Sequence, residues 1–593
     1  MNNINVRCIR MRKVFICTAL LVGYAWTFGA CPGAGAAPDI IVTLEGVEGD
    51  IKDNILEYLS IAQQKKDTDL TPGLVEKLHK QAPDQIRQAL QPFGYYNPVI
   101  QSELVQEDSV WQAHYTIDPG KPVVIDSIDI SIEGEAAGDE NFTTMLKELP
   151  LKKGDVLNHQ HYEEAKRMFY NTAAKFGYIK AEMIASRVDV YPDTYIAAVT
   201  LHFNSGPRYY FGEIEFIQDT FDPEFVSRFA QFHRGDPYQL SDILMLQNSL
   251  NNSDYFDSVE ITPLMDESEN RQVPLRITLL PRKRNKYTAG LGYGTDTGFR
   301  GSLGWENRRI TRTGHRLKAD LRLSEIKSSL TTEYIVPLAN PRTDNFVYNA
   351  GRLIENTKTS ESQKYSGGVH YNHTRNDWKE SVYIKYELEK YEVGDDTGHS
   401  ALLIPGISWT KINIDNFHLP VQGSRLYLDI RGAHESLLSD TSFLQFHMLL
   451  KYIFRITPLS RLILRGEGGG TLINEFSELP PSVRFFAGGD TSVRGYAYQS
   501  LGPEDEEGNV KGGKHLVVGS IEFEHQILDF DKWSAAVFYD AGNAINELSD
   551  TLKKGAGFGV RWKSPVGPVR VDLGFPLDKA DKSWRIHLII GPD

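Results

Sequence analysis

Three groups of residues in this 593-residue sequence have types and spacings that could do chemistry. Gly290-Leu291-Gly292-Tyr293-Gly294 has the glycine density of a phosphate-wrapping loop, but such a loop needs a helix N-terminus behind it. No helix pattern follows, and the run lies in a stretch of period two, so it reads as a glycine-rich strand. His159-Gln160-His161 with Glu163-Glu164 offers metal-ligand types, yet no third histidine is near and the segment reads as the solvated start of a helix. The third group is Gly488-Gly489-Asp490-Thr491-Ser492-Val493-Arg494-Gly495-Tyr496. It lies in a long connection reaching about His515, with an acidic tip at Glu504-Asp505-Glu506-Glu507. A connection of that length is functional or unstructured, and its arginine could serve as a planar, bidentate partner for carboxylates or stand exposed in the loop. No nucleophile elbow or paired-carboxylate site stands out, so the chain reads as a non-enzyme with no metal or cofactor.

The elements that must position that loop fall into two regions. Residues 1–36 carry Arg7, Arg10, Arg12 and Lys13, then an apolar stretch, then Gly33-Ala34-Gly35-Ala36, the order of a secretory signal. The chain's three cysteines, Cys8, Cys17 and Cys31, all lie there, which leaves a thiol-free mature protein with no disulfide framework. A net charge of −14 gives no basic surplus to neutralise phosphates, so a nucleic-acid partner is excluded. A mean hydropathy of −0.35 argues against a bundle of membrane helices but not against a membrane barrel, whose strands turn only alternate residues to lipid.

From residue 38 to about 283 a β-α-α-β-β pattern repeats. In the first unit, 38–121, a strand at 40–44 precedes Ile51, Ile55 and Leu59, then Ile86, Leu90 and Phe93, at helical spacing. Gly94 stops the second helix, and two strands close the unit. The second unit, 122–207, has its stop at Gly177, and the third, 208–283, has Asp254 at the corresponding place. The stops recur about every 80 residues, the mark of tandem modules.

From 284 to 593 the pattern is strict alternation. Leu317, Ala319, Leu321 and Leu323 interleave with Arg316, Lys318, Asp320 and Arg322; Val569, Val571, Leu573 and Phe575 interleave with Arg570, Asp572 and Gly574. Trp584, Ile586, Leu588 and Ile590 do the same with Arg585 and His587. About 300 residues of this kind suit roughly 16 tilted strands of a closed antiparallel barrel that faces lipid outward and water inward.

Val493-Arg494-Gly495-Tyr496 resembles the VRG(F/Y) motif of the Omp85 superfamily of outer-membrane assembly and secretion proteins. The three units resemble its POTRA domains, and Gly555-Ala556-Gly557-Phe558-Gly559 with 564–570 resembles its closing strands. Three such units before a barrel is the TamA-like arrangement. The resemblance implies an outer-membrane barrel with periplasmic POTRA domains, and a loop near 486–515 folded into the lumen. It implies that Arg494 pairs with Glu522 and Asp540; Ile521 and Phe523 flank Glu522, which turns it from lipid. It also implies a TamB-type inner-membrane-anchored partner reached through the POTRA domains, unfolded outer-membrane proteins as substrates, and contact with outer-membrane lipids. The chain departs from many outer-membrane proteins in ending without a terminal aromatic residue.

A barrel closes between its first and last strands, here about 286–294 against 584–590. Gly290, Gly292 and Gly294 share one face of the first; Ile586, Leu588 and Ile590 share one face of the last. Glycine packs nothing and loses most entropy on ordering, which makes a weak seam open to strand addition. The alternative reading is that the glycines leave room for the loop. Three functions stand at this point: assembly of outer-membrane proteins such as autotransporters through the seam, secretion of a partner polypeptide through the pore, and the outer-membrane end of a phospholipid bridge.

Overall fold

A computed structural model describes residues 39–64, 71–107, 110–416, 420–527, 532–565, 567–579 and 583–591. The expected secretory signal lies outside them. The chain divides into two compact units, one holding the first two α/β modules and the other the third module with the barrel.

Module one contains β1 (Asp39–Glu45), α1 (Gly49–Tyr58), α2 (Ser60–Gln63), α3 (Pro72–Leu90), β2 (Val99–Glu107) and β3 (Val110–Asp118). Module two contains β4 (Val124–Glu133), α4 (Glu140–Lys147), α5 (His159–Lys175), β5 (Glu182–Tyr191) and β6 (Ile196–Asn204). Module three contains β7 (Tyr210–Ile217), α6 (Pro223–Ser227), α7 (Leu240–Asn252), β8 (Phe256–Pro263) and β9 (Gln272–Pro281). In each, the last strand runs down the middle of a three-stranded sheet, parallel to the first strand and antiparallel to the second. That central strand is the most apolar: Ala197, Val199, Leu201 and Phe203 of β6 are all buried. Phe142 of α4 and Phe169 of α5 pack on Phe203. Module one differs from the expected pattern by a short extra helix, α2, before its long one.

The helix stops behave alike. Gly94 and Gly177 have φ of 87° and 85°, and Asp254 takes the same left-handed region at 64°. Aspartate tolerates that conformation better than most residues, and Arg282 holds its carboxylate at 2.7 Å.

The barrel comprises β10 (Asn285–Gly294), β11 (Gly298–Asn307), β12 (Arg316–Ser324), β13 (Lys327–Pro337), β14 (Asn345–Asn356), β15 (Ser360–Arg375), β16 (Trp378–Val393) and β17 (Asp396–Ile414). It continues with β18 (Gly423–Ala433), β19 (Phe443–Thr457), β20 (Ser460–Ile473), β21 (His515–Gln526), β22 (Trp533–Ile545), β23 (Lys553–Ser564), β24 (Gly567–Pro576) and β25 (Arg585–Ile590). These sixteen antiparallel strands close on themselves. Period two sorts the faces: Val382, Ile384, Tyr386 and Leu388 of β16 are exposed on the outside, while Tyr383 between them is buried within. Module three rests on one end of the barrel. Tyr255 donates to the Gly314 carbonyl at 2.5 Å, and Asp222 pairs with Arg312 at 3.0 Å, both in the β11–β12 turn. On that end the connections are short; the β20–β21 connection, residues 474–514, opens at the other.

His159, at the start of α5, is half-buried rather than fully solvated, and its Nε2 lies 2.9 Å from the Tyr96 hydroxyl. Burial holds the imidazoles of His159 and His79 below the ordinary value of 6.5, with Glu163 opposing at His159. A histidine that resists protonation when folded binds fewer protons than its unfolded counterpart at mildly acidic pH. The first two modules are therefore expected to hold constant stability above about pH 6.5 and lose it as pH falls below. Hydrogen–deuterium exchange of α3 and α5 in the full chain, corrected for intrinsic rate, checks this; His79→Gln should flatten the dependence at α3.

Candidate functional site

The connection between β20 and β21 turns into the barrel and fills part of its lumen. Its apolar side chains Phe485, Ala487, Val493, Tyr496 and Leu501 cluster with Leu516 and Val518 of β21 and Ala544 of β22. Its polar contacts reach round the wall. Arg484, with no exposed side-chain surface, pairs with Asp396 of β17 at 3.0 Å and donates to the Leu479 and Ser477 carbonyls inside the loop. Gln445 of β19 donates to the Val483 carbonyl at 2.8 Å, and Tyr498 and Gln499 meet Glu355 of β14.

Arg494 is the most deeply placed of these contacts, with a relative exposure of 0%. Its Nε and Nη2 donate to the two oxygens of Asp540 at 2.7 and 2.9 Å, and its backbone N–H donates to Asp540 as well. Nη1 donates to Glu522 and reaches Asp572 at 3.3 Å. The guanidinium lies 3.5 Å from the centre of the Phe538 ring. The structure thus brings together Arg494, Glu522 and Asp540 and adds Asp572 of β24, which the sequence reading placed on the inner face without giving it a partner. Arg561 of β23 binds Glu522 at 2.8 Å and Asp572 at 2.6 Å from the other side, and Arg461 of β20 holds Glu524 at 2.5 Å. One charge network runs from β20 to β24 through the loop. A planar guanidinium making two parallel bonds to one carboxylate fixes orientation as well as distance.

Glycines in the wall admit the loop. A Cβ at Gly555 would lie 2.0 Å from the Arg494 carbonyl oxygen, and one at Gly574 would lie 2.6 Å from the Gly495 nitrogen. Gly495 itself has φ of 95°, and its N–H donates to Nε2 of His587 at 2.8 Å. Tyr496 is buried beneath the Lys579 ammonium. Gly290, Gly292 and Gly294 do not serve the loop in this way. They line the inner face of β10, and the nearest groups to their missing side chains are Ser302, the Ile590 carbonyl and Thr297.

The seam is much shorter than the expected ladder of 286–294 against 584–590. The paired positions are Tyr293 with Ile590 and Gly294 with Ile589, whereas the other junctions of the barrel carry from six to sixteen. The last strand has six residues, and it meets the first strand at the loop-side end of β10. Residues 285–292 have no ladder partner on that edge among the described residues. Ile586 and Leu588 pair with β24 instead. The reason is the short, inwardly committed β25: His587 is turned to the loop, and its inner face is spent there.

One more backbone bond and several side chains reinforce what the ladder leaves thin. The Thr295 N–H donates to the Leu588 carbonyl at 3.0 Å, and the Leu588 N–H donates to the Thr295 hydroxyl at 3.2 Å. Asp490 of the loop accepts from Nδ1 of His587 and from Thr295, and its own N–H donates to Asp296. Asp296, Asp490 and His587 bring three possible ligand atoms within 4.8 Å. Because Nε2 of His587 accepts from Gly495, the ring proton sits on Nδ1, between imidazole and Asp490, where a cation would have to displace it. The cluster is suited to a hydrogen-bonded latch joining first strand, loop and last strand.

Arg494→Ala would leave three carboxylates facing one another without their central cation, and loss of one partner from a buried pair costs about 3–5 kcal/mol. The barrel is expected to unfold at lower temperature, and Arg494→Lys is expected to rescue it only in part; heat-modifiable gel mobility reads both. Gly574→Val drives a side chain into the loop backbone and is expected to cost about 1–3 kcal/mol. Its distinct outcome is new protease cleavage within 486–500, where the unaltered chain is protected.

The comparisons agree with this architecture. The Omp85 superfamily domain matches residues 283–592, the domain described as POTRA domain TamA domain 1 matches 41–119, and a POTRA domain described as a surface antigen variable number repeat matches 209–282. The outer membrane protein assembly factor BamA of Nitratidesulfovibrio vulgaris is 24% identical over 435 residues, covering 68% of this chain and 53% of that protein. BamA of Neisseria meningitidis serogroup B is 24% identical over 542 residues, covering 78% of this chain and 66% of that protein. The chain thus spans about half to two thirds of the length of these curated relatives. Among solved structures, BamA from Haemophilus ducreyi lacking POTRA domains 1–3 shares the fold, with a TM-score of 0.64 at 16% identity, covering 79% of this chain and 99% of that one. A closed sixteen-strand barrel preceded by POTRA domains, with the superfamily domain matched along the whole barrel, makes this chain an outer-membrane protein with periplasmic POTRA domains and a member of the Omp85 superfamily.

Proposed function

We propose that this chain is a TamA-like translocation and assembly factor, which inserts outer-membrane proteins such as autotransporters through the seam between β10 and β25. The observation that carries the reading is the two-pair seam. An edge of eight residues, 285–292, offers backbone donors and acceptors that hydrocarbon cannot satisfy. An incoming strand can pair with that edge whatever its side chains, because main-chain hydrogen bonds supply the affinity. Glycine at 292 matters here: a side chain would meet the Ile590 carbonyl at 2.7 Å and block the approach of the two strands. Six-residue β25, compared with nineteen-residue β17 elsewhere in the wall, gives the barrel a short side, where the bilayer must thin to match it.

A TamB-type partner anchored in the inner membrane fits the first module, which is similar to the first POTRA domain of TamA. The lodged loop favours assembly at the seam over secretion of a polypeptide through the lumen, since Arg494 and its partners hold the lumen occupied.

The chain's cysteines all precede the described residues, so a single engineered pair can be read cleanly. Tyr293→Cys with Ile590→Cys places two thiols at paired positions of the seam. Surface display of an autotransporter is expected to stop when this pair is oxidised and to return on reduction. Display that continues through the locked seam would make the seam static and return the lumen or a lipid role to first place.

A further inference from the structure

The outer face of β10 to β12 carries a groove of about 440 Å³, lined by Tyr287, Ala289, Leu303, Trp305, Ala319 and Leu321. Tyr287 and Trp305 stand opposite each other in the ladder, as do Trp305 and Ala319, so small residues form the floor between large ones. Tyr287 is 74% exposed, and the Trp305 indole N–H donates to Asn285 at 3.2 Å. An outward-facing tyrosine–tryptophan pair at the module-side ends of strands marks the level where hydrocarbon gives way to headgroups.

Immediately beyond that level the charge changes character. The chain as a whole carries −14, yet Lys283 and Arg284 just before β10 stand beside Arg308, Arg309 and Arg312 after β11. The two segments touch: the Arg308 N–H donates to the Arg284 carbonyl at 2.8 Å, and the Arg308 guanidinium donates to the Lys283 carbonyl at 3.3 Å. The nearby acids are already engaged. Asp254 pairs with Arg282 and Arg308, Asp222 with Arg312, and Glu306 lies beside Arg316 and Lys318. Among the described residues, no carboxylate forms an ion pair with Lys283, Arg284 or Arg309. At about 3.4 Å per residue, these cations lie within a few residues of the aromatic pair, inside the headgroup layer.

We propose that groove and rim together form a binding site for an anionic phospholipid of the periplasmic leaflet. An acyl chain lies over Ala289 and Ala319, and the headgroup phosphate meets Lys283 and Arg284, which have no carboxylate partner; Lys286 faces the lumen opposite Glu306 and takes no part. The apolar half favours a lipid over an acidic peptide, because the groove faces hydrocarbon. The cationic half favours an anionic over a zwitterionic headgroup, whose own ammonium would offset the attraction. The site borders the unpaired edge of β10, so its lipid would be the first that a parting seam displaces. The proposal does not depend on the assembly reading.

Native mass spectrometry of the full chain in detergent tests it, using phosphatidylglycerol and phosphatidylcholine of the same acyl chains. Preferential retention of phosphatidylglycerol is expected. The double variant Lys283→Gln, Arg284→Gln should weaken it on the order of 25-fold, at about fivefold per cation. Ala289→Phe, which fills the groove from the lipid side and should leave heat-modifiable folding intact, should weaken retention of both lipids. A control on another part of the rim, Lys411→Gln, should change nothing. Equal retention of the two lipids, or an effect of the control as large as that of the double variant, would overturn the proposal. Displacement of the lipid by millimolar inorganic phosphate would assign the rim to a free phosphate and overturn it too.

Discussion

Hydrocarbon has no partner to offer a peptide group, so a sheet that crosses a membrane must close on itself and pair every strand. The barrel obeys this along fifteen junctions and nearly fails it at the sixteenth, where two residue pairs join first strand to last. Everything unusual about the molecule gathers round that junction: the shortest strand, the inner-face glycines of β10, the turn at Thr295 and Asp296, and the loop that enters the lumen to meet them. The closure that the ladder does not provide is supplied largely from inside, by side chains.

The lodged loop acts as an internal strut. Its backbone could not lie against a wall of ordinary side chains, and Gly555 and Gly574 clear the place where Arg494 and Gly495 pass. Its charge could not be buried alone, and Asp540, Glu522 and Asp572 come from three strands to meet it. A buried ion network of this kind contributes little net stability compared with apolar packing. Its value is specificity of place: a fork of donors answered by carboxylates on fixed strands admits one seating of the loop.

Much of this was legible in the sequence for simple physical reasons. Alternation sorts residues by face, so the inward turn of Glu522, Asp540 and Asp572 can be read from Ile521 and Phe523, Tyr539 and Ala541, Val571 and Leu573. The helix stops divided the modules, and Asp254 took the conformation that glycine takes in the other two. The pairing of Arg494 with Glu522 and Asp540 came from family resemblance, since alternation says which face a residue uses and not which strand lies opposite. For the same reason Asp572 was seen on the inner face but not joined to Arg494. The latch was out of reach: Asp490 stands 97 residues from His587 and 195 from Thr295, and no local pattern links them. The short seam was equally hidden, because alternation through Ile586, Leu588 and Ile590 continues whether or not a neighbour is present.

His587 gives the design a thermodynamic symmetry. One of its nitrogens accepts from the loop at Gly495 and the other donates to the loop at Asp490, while its own strand forms one lip of the seam. If the seam parts as proposed, loop seating and seam closure are coupled through His587, and linkage between them is reciprocal. Whatever binds more tightly to the parted seam must favour the withdrawn loop by the same factor, and whatever grips the seated loop from outside the cell must resist parting of the strands in equal measure. On the proposed gating, an event at the loop's outer surface would be felt at the side of the barrel.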